Sequence, residues 1–174
     1  MNVNDAIEKL RLWCEQSSGE PIEIAPGRIL TFASHAVFGT PELQVVERRL
    51  DFRLPDSYRW FMAAVGQAIV FREPRYGSGG MHFFTTQEIV DASLRIWEGE
   101  EEVGFDRFCF IGWHRSMGDY FGFVINRAGQ RNFDVFCHEY PPGRYVEISN
   151  EIQSWRTFDE WIIRAVESYG EDTL

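Results

Sequence analysis

Four residues in and beside two apolar runs carry the side chains best suited to chemistry: Cys109, Cys137, His138 and Glu139. Two thiols, an imidazole and a carboxylate would suit a metal ion if the two runs pair as strands. Zinc-type centres need four well-placed ligands, and neither a C-x-x-C nor an H-x-x-x-H spacing occurs. Cys109 and Cys137 sit among phenylalanines, where a thiol behaves as a small hydrophobe. His138-Glu139 also lacks the downstream cysteines of a zinc deaminase. No metal and no other cofactor is therefore expected.

The remaining candidates for catalysis are equally bare. His114 has no partner at a useful spacing. Ser116 lacks a G-x-S-x-G frame. Gly77-Ser78-Gly79-Gly80 lacks the Lys-Ser/Thr of a phosphate loop and the strand–helix context of a dinucleotide fingerprint. Carboxylate pairs occur by chance in so acidic a chain and give glycoside hydrolysis no specific support. No catalytic residue is named. Gly118-Asp119 is the sharpest local motif. It either presents a carboxylate at a cleft or forms a turn whose carboxylate bonds nearby backbone N–H groups, and the turn is favoured. Trp113 is either core or an interface anchor, with core favoured.

The elements that must position these residues are legible from periodicity. An amphipathic helix opens the chain, capped by Asn4, with Ile7, Leu10, Trp13 and Cys14 on one side and a stop at Ser17-Ser18-Gly19. Residues 22–32 read as a hairpin around Ala25-Pro26-Gly27-Arg28. Thr40-Pro41 starts a helix carrying Leu43, Val46 and Leu50 on one face. Pro55 ends it. A second helix carries Tyr58, Phe61, Met62 and Val65 and stops at Gly66. Arg48, Arg49, Arg53 and Arg59 lie off both faces and read as solvated. Short strands at 67–71 and 81–84 flank a loop. Thr85 and Glu88 form a capping box that starts a helix running to about Trp97. An acidic loop covers 98–106. Strands follow at 108–113, 120–125 and 133–138, the last two joined by a glycine-containing hairpin loop. A further strand is expected at 145–148. Thr157 and Glu160 form a second capping box, with Phe158, Trp161, Ile162, Val166 and Tyr169 on one face of the final helix. Helices bracketing hairpin-connected strands point to an α+β fold with a mostly antiparallel sheet flanked by helices.

Bulk properties narrow the function. The 174 residues suit one domain with a real core. No run approaches the ~18 apolar residues needed to cross a bilayer. The opening MNVNDAIEKL has no apolar h-region, so no signal peptide is expected. An odd number of unpaired-looking cysteines suits a reducing, cytoplasmic compartment. The net charge is −10, divided unevenly: residues 1–87 hold 10 acids and 9 bases, residues 88–174 hold 17 acids and 8 bases. An acidic surface repels phosphate backbones, which argues against direct nucleic-acid binding, and attracts a basic protein partner.

Four motifs, in this order and spacing, resemble the SUKH superfamily in its SMI/KNR-like branch: VERRLDFRLPDSYRWFM, FTTQEIVDAS, FIGWHRSMGDYFGFVIN and SWRTFDEWI. The match covers roughly 41–166. It departs at Val65-Gly66-Gln67, where the family often has Asn-Gly and a polar loop, and it does not reach the first 35 or so residues. The resemblance implies a single SUKH-like domain over 1–174. Residues 36–174 would be its core, and 1–35 an extension of helix and hairpin. It also implies a cytoplasmic, non-enzymatic immunity protein. Such a protein binds and neutralises a cognate bacterial toxin domain, often a nuclease, through a cleft formed by sheet and helices. The partner would have a basic surface, and the protein would be a monomer or weak dimer that binds no membrane. A regulatory or adaptor module of the same fold is the alternative, and an enzyme of unrecognised type ranks third. The contact residues expected are Glu100, Glu101, Glu102, Trp113, Asp119 and Glu139.

Overall fold

The computed structural model describes residues 1–75, 79–99, 105–127, 129 and 131–173. The chain runs α1 (Val3–Ser17), β1 (Pro21–Ala25), β2 (Arg28–Ala36), α2 (Thr40–Leu50), α3 (Asp56–Ala64), β3 (Gln67–Arg72), β4 (Met81–Phe83), α4 (Thr86–Gly99), β5 (Phe108–His114), β6 (Tyr120–Val124), β7 (Phe133–Phe136), α5 (Tyr145–Ile152) and α6 (Phe158–Glu167). The strands form one sheet in the order β1 to β7, every neighbouring pair antiparallel. Helices α2 and α3 fill the β2–β3 connection, and α4 fills the β4–β5 connection. The result is an α+β fold in a single domain.

Helix α1 is capped by Asn2, not by Asn4. The Asn2 side chain accepts from Asp5 N at 2.9 Å, and the Asp5 carboxylate accepts from Asn2 N. Asn4 already lies in the first turn, where its side chain cannot reach an orphan N–H. The predicted face of α1 is buried, and Ser18 ends the helix in the left-handed region. Strands β1 and β2 form the expected hairpin. Because β2 pairs with β3, these first residues belong to the same sheet as the rest.

The Leu54-Pro55 segment differs from its sequence reading in two ways. Helix α2 already stops at Leu50, with Asp51 left-handed at φ 49°, and Pro55 is the N-cap of α3. Thr40 is the first helical residue rather than the cap, a place taken by Gly39. The bend is held by Glu47. Its carboxylate accepts Leu54 N at 3.0 Å and both contacts from Arg59 Nη1, at 2.8 and 2.9 Å. Arg59 is therefore not a solvated arginine. It is a half-buried ion pair that clamps α3 onto α2, where removing one partner strands the other. Arg48, Arg49 and Arg53 are exposed as expected. Gly66 ends the segment at φ +68°, pressed so close to the Ala36 carbonyl that a Cβ would overlap it.

Strand β5 is buried along most of its length, but β4 pairs only with its last three residues. Phe84, just past β4, and helix α4 complete the vacated edge. Phe84 N donates to Ile111 O at 3.0 Å, Phe110 N to Ser93 Oγ at 3.0 Å, and Trp97 Nε1 to Phe108 O at 3.0 Å. The Thr85–Glu88 capping box fixes where α4 starts, and so which side chains reach this edge. Ser93 is fully buried, an unforeseen polar residue among the expected burials of this helix.

Residues 145–148 are the start of α5, not a strand. A 3-10 turn over Pro142–Arg144 delivers the chain already in helical geometry, and Tyr145 and Ser149 face inward one turn apart. The short alternation in Tyr-Val-Glu-Ile mimics a strand because the run is too brief to separate the two periods. Tyr145 stacks on Phe136 at 5.1 Å and meets Phe108 edge-on at 5.7 Å. On the opposite face of the sheet, α6 starts at its Thr157–Glu160 capping box. It packs Trp161 against Phe83, Phe121 and Phe133, where Tyr58 and Phe61 of α3 join the same core.

Replacing Ser93 by Ala leaves the buried Phe110 N–H without a partner. We expect a loss of about 1–3 kcal/mol in urea unfolding with an unchanged m-value. A loss near zero would show that α4 does not complete the β5 edge.

Candidate functional site

The directions of the strands gather several loops at one end of the sheet. Strand β5 ends there at His114, β6 begins at Tyr120, β7 ends at Phe136, and Arg115 N reaches across to Gly80 O at 3.0 Å. Four residues are successive pairing partners across four strands: His82, Trp113, Tyr120 and Phe136. Direct opposition in an antiparallel sheet puts all four on one face. Phe136 is covered by Tyr145 and Trp155, whereas His82, Trp113 and Tyr120 remain half-buried. They form an aromatic strip partly open to solvent, edged by Phe84.

Trp113 Nε1 donates to His82 Nδ1 at 2.9 Å. That bond requires an unprotonated Nδ1, so His82 is held in the Nε2–H form. Burial lowers the His82 pKa below its usual range, Arg115 and His35 add to the effect, and Glu88 opposes it. His114, at the end of β5, is also lowered by burial, with Asp119 opposing. Its Nδ1 lies 3.1 Å from Ser116 Oγ.

The Gly118-Asp119 turn closes on itself. Gly118 N donates to His114 O at 2.8 Å, and His114 N donates to Asp119 O at 2.7 Å, with Gly118 at φ +81°. The Asp119 carboxylate, in a residue only 4% exposed, reaches the next strand. Its Oδ1 accepts from His138 N at 2.8 Å and lies 2.7 Å from His138 Nδ1. One carboxylate thus ties the β5–β6 turn to the end of β7. Cys137 joins this pair: single ligand atoms of Asp119, Cys137 and His138 all lie within 4.8 Å of one another. The Tyr145 phenol nearby is pushed up to about 12, by burial first and then by Asp119, Tyr120 and Cys137.

The structure redistributes the residues singled out from sequence. Trp113 lies on the half-open strip. Asp119 is buried and bonds backbone and imidazole rather than facing solvent. Glu139 is exposed, one residue beyond His138. Glu100, Glu101 and Glu102 lie outside the described residues. The described residues after them, from Phe105, lead into the start of β5, the end opposite Trp113 and Asp119. The suspected four-residue constellation separates. Cys109 is fully buried in β5 opposite Phe123, with its thiol pushed up by burial, and Asp119 stands where Glu139 was considered. No spacing rule finds a grouping with members 18 and 19 positions apart. The available signal was the β6–β7 hairpin: extending its register one residue past Tyr120 and Phe136 sets Asp119 opposite Cys137.

A model of the SMI1/KNR4 family (SUKH-1) matches residues 40–164. Among curated proteins, the chain is similar to Immunity protein RhsIB of Dickeya dadantii (strain 3937). The two are 24% identical over 166 residues, spanning 95% of this chain and 96% of the relative. No solved structure matches the chain.

The lowered histidines predict acid sensitivity. The unfolded chain takes up protons at His82 and His114 near pH 6.5, while the folded protein resists until lower pH. The unfolded state therefore binds more protons in that window, and stability falls as pH drops through about 6.5. Melting temperature should decline from pH 7.5 to 5.5, and His82→Gln should flatten the decline. An unchanged pH slope in that variant would contradict the assignment.

Proposed function

The chain belongs to the SMI1/KNR4 family (SUKH-1), and from that membership we propose that it is an immunity protein. In this reading it binds a cognate bacterial toxin domain and neutralises it by protein–protein contact, with no catalysis of its own. The observation that carries the reading is the end-to-end likeness to Immunity protein RhsIB.

The physical form of the contact follows from charge and exposure. A basic toxin surface, such as a nuclease presents to phosphate, meets the acidic second half of this chain. Trp113 on the half-open strip supplies an aromatic anchor. Glu139 and the run Glu100, Glu101 and Glu102 supply carboxylates. Asp119 contributes by fixing the loop end through His138 rather than by facing the partner. The protein works in the cytoplasm as a monomer or weak dimer. Residues 1–35 extend a core of 36–174. Among the described residues no helix is long and apolar enough to cross a membrane.

Co-expression with the toxin domain encoded beside it tests the reading. Cells should survive, and the two purified proteins should form a stable complex. Glu139→Lys, and separately the triple Lys replacement of Glu100, Glu101 and Glu102, should each slow association and weaken binding at unchanged melting temperature. Cell death despite soluble expression would overturn the function. Full binding by both variants would overturn the contact set.

A further inference from the structure

We propose that Asp119, Cys137 and His138 form a binding site for a divalent transition-metal ion of the zinc type. This goes beyond the toxin-neutralising role and does not depend on it. The three side chains bring a carboxylate oxygen, a thiol sulfur and an imidazole nitrogen within 4.8 Å of one another. That donor set suits a borderline-soft ion such as Zn²⁺ rather than magnesium or calcium, which take oxygen ligands.

The charge balance around Asp119 supplies a second argument. Two carboxylates are buried, Asp119 just before β6 and Asp134 in β7, and they are treated differently. Asp134, 1% exposed, is met by the Arg156 guanidinium at 3.1 Å and by the Ser154 hydroxyl. Asp119 pairs with no arginine or lysine among the described residues, and its partner is the His138 ring. Asp119 thus lacks the permanent cation that Asp134 has, and a bound metal ion supplies one. Of the other groups near it, Cys137 and the phenols of Tyr120 and Tyr145 bring no positive charge, and His114 reaches Asp119 through its backbone N–H.

Binding replaces a proton by metal. Cys137 gives up its thiol proton to solvent, and His138 presents an unprotonated Nδ1 with its ring proton on Nε2. The thiol proton released makes affinity rise with pH. Ligand atoms around tetrahedral zinc lie about 3.3–3.8 Å apart, given metal–ligand bonds of roughly 2.0–2.3 Å. The Asp119–His138 contact at 2.7 Å must therefore open slightly, by a side-chain rotation at a loop end where His138 is half exposed. The fourth position is left to water.

The test is titration of the purified full chain with Co²⁺ alone, followed by Zn²⁺ competition against a chromophoric chelator. One equivalent of Co²⁺ should produce a thiolate-to-cobalt charge-transfer band that Zn²⁺ bleaches. Cys137→Ser should abolish the band. His138→Gln, at an exposed side chain, should weaken Zn²⁺ binding roughly tenfold or more, the scale at which even outer-shell partners act. Absence of the band, its persistence in Cys137→Ser, or unchanged affinity in His138→Gln would each overturn the site. None of these readouts involves a toxin, so failure here leaves the proposed function standing, and the reverse.

Discussion

Strand β5 must satisfy its backbone on both edges while almost none of it touches water, and β4 is too short to do this alone. A buried N–H without a partner costs about as much as a typical destabilising mutation. The chain meets the requirement with α4, whose Ser93 and Trp97 bond Phe110 N and Phe108 O where a strand would otherwise run. Much of the remaining layout depends on this arrangement. It holds α4 against β5 and lets α2 pack on α4. It also returns the chain to the start of β5 through Phe105–Arg107, with the Arg107 guanidinium over the Trp97 ring at 4.0 Å and bonded to Leu50 O.

With β5 anchored, the two ends of the sheet acquire different characters. The end where β5 starts receives Phe105–Arg107. The end where it finishes gathers His82, Trp113, Asp119, Cys137 and His138, and the hydrogen bonds there are specific rather than generic. Trp113 selects one tautomer of His82. Asp119 joins two loops through one carboxylate oxygen. This is polar organisation on a rigid frame, the usual setting for recognition.

The parts legible in sequence were those governed by local rules. Capping boxes at Thr85 and Thr157, the α2 and α3 apolar faces and the antiparallel hairpins all follow from patterns within a few residues. What was not legible came from tertiary choice. Glu47 and Arg59 are 12 positions apart, and only the fold makes them a clamp. Asn2 outcompeted Asn4 because a cap depends on where the first turn begins. The 145–148 run carries too few residues to distinguish periods of 2 and 3.6, so the preceding 3-10 turn decided it. The Asp119, Cys137 and His138 grouping crosses a strand pair, and spacing rules tuned to one helix or one loop miss such sets.

The central claim is that this fold serves recognition of a toxin through the loop end of its sheet and the acidic half of its chain. Amide hydrogen exchange of the purified protein, alone and bound to the neighbouring toxin domain, addresses it most directly. The account predicts added protection in segments 113–120 and 137–140 and in the acidic run around 100–104, with the α1–β1 region unchanged. Protection confined to α1 and β1, or none anywhere at saturating toxin, would contradict it.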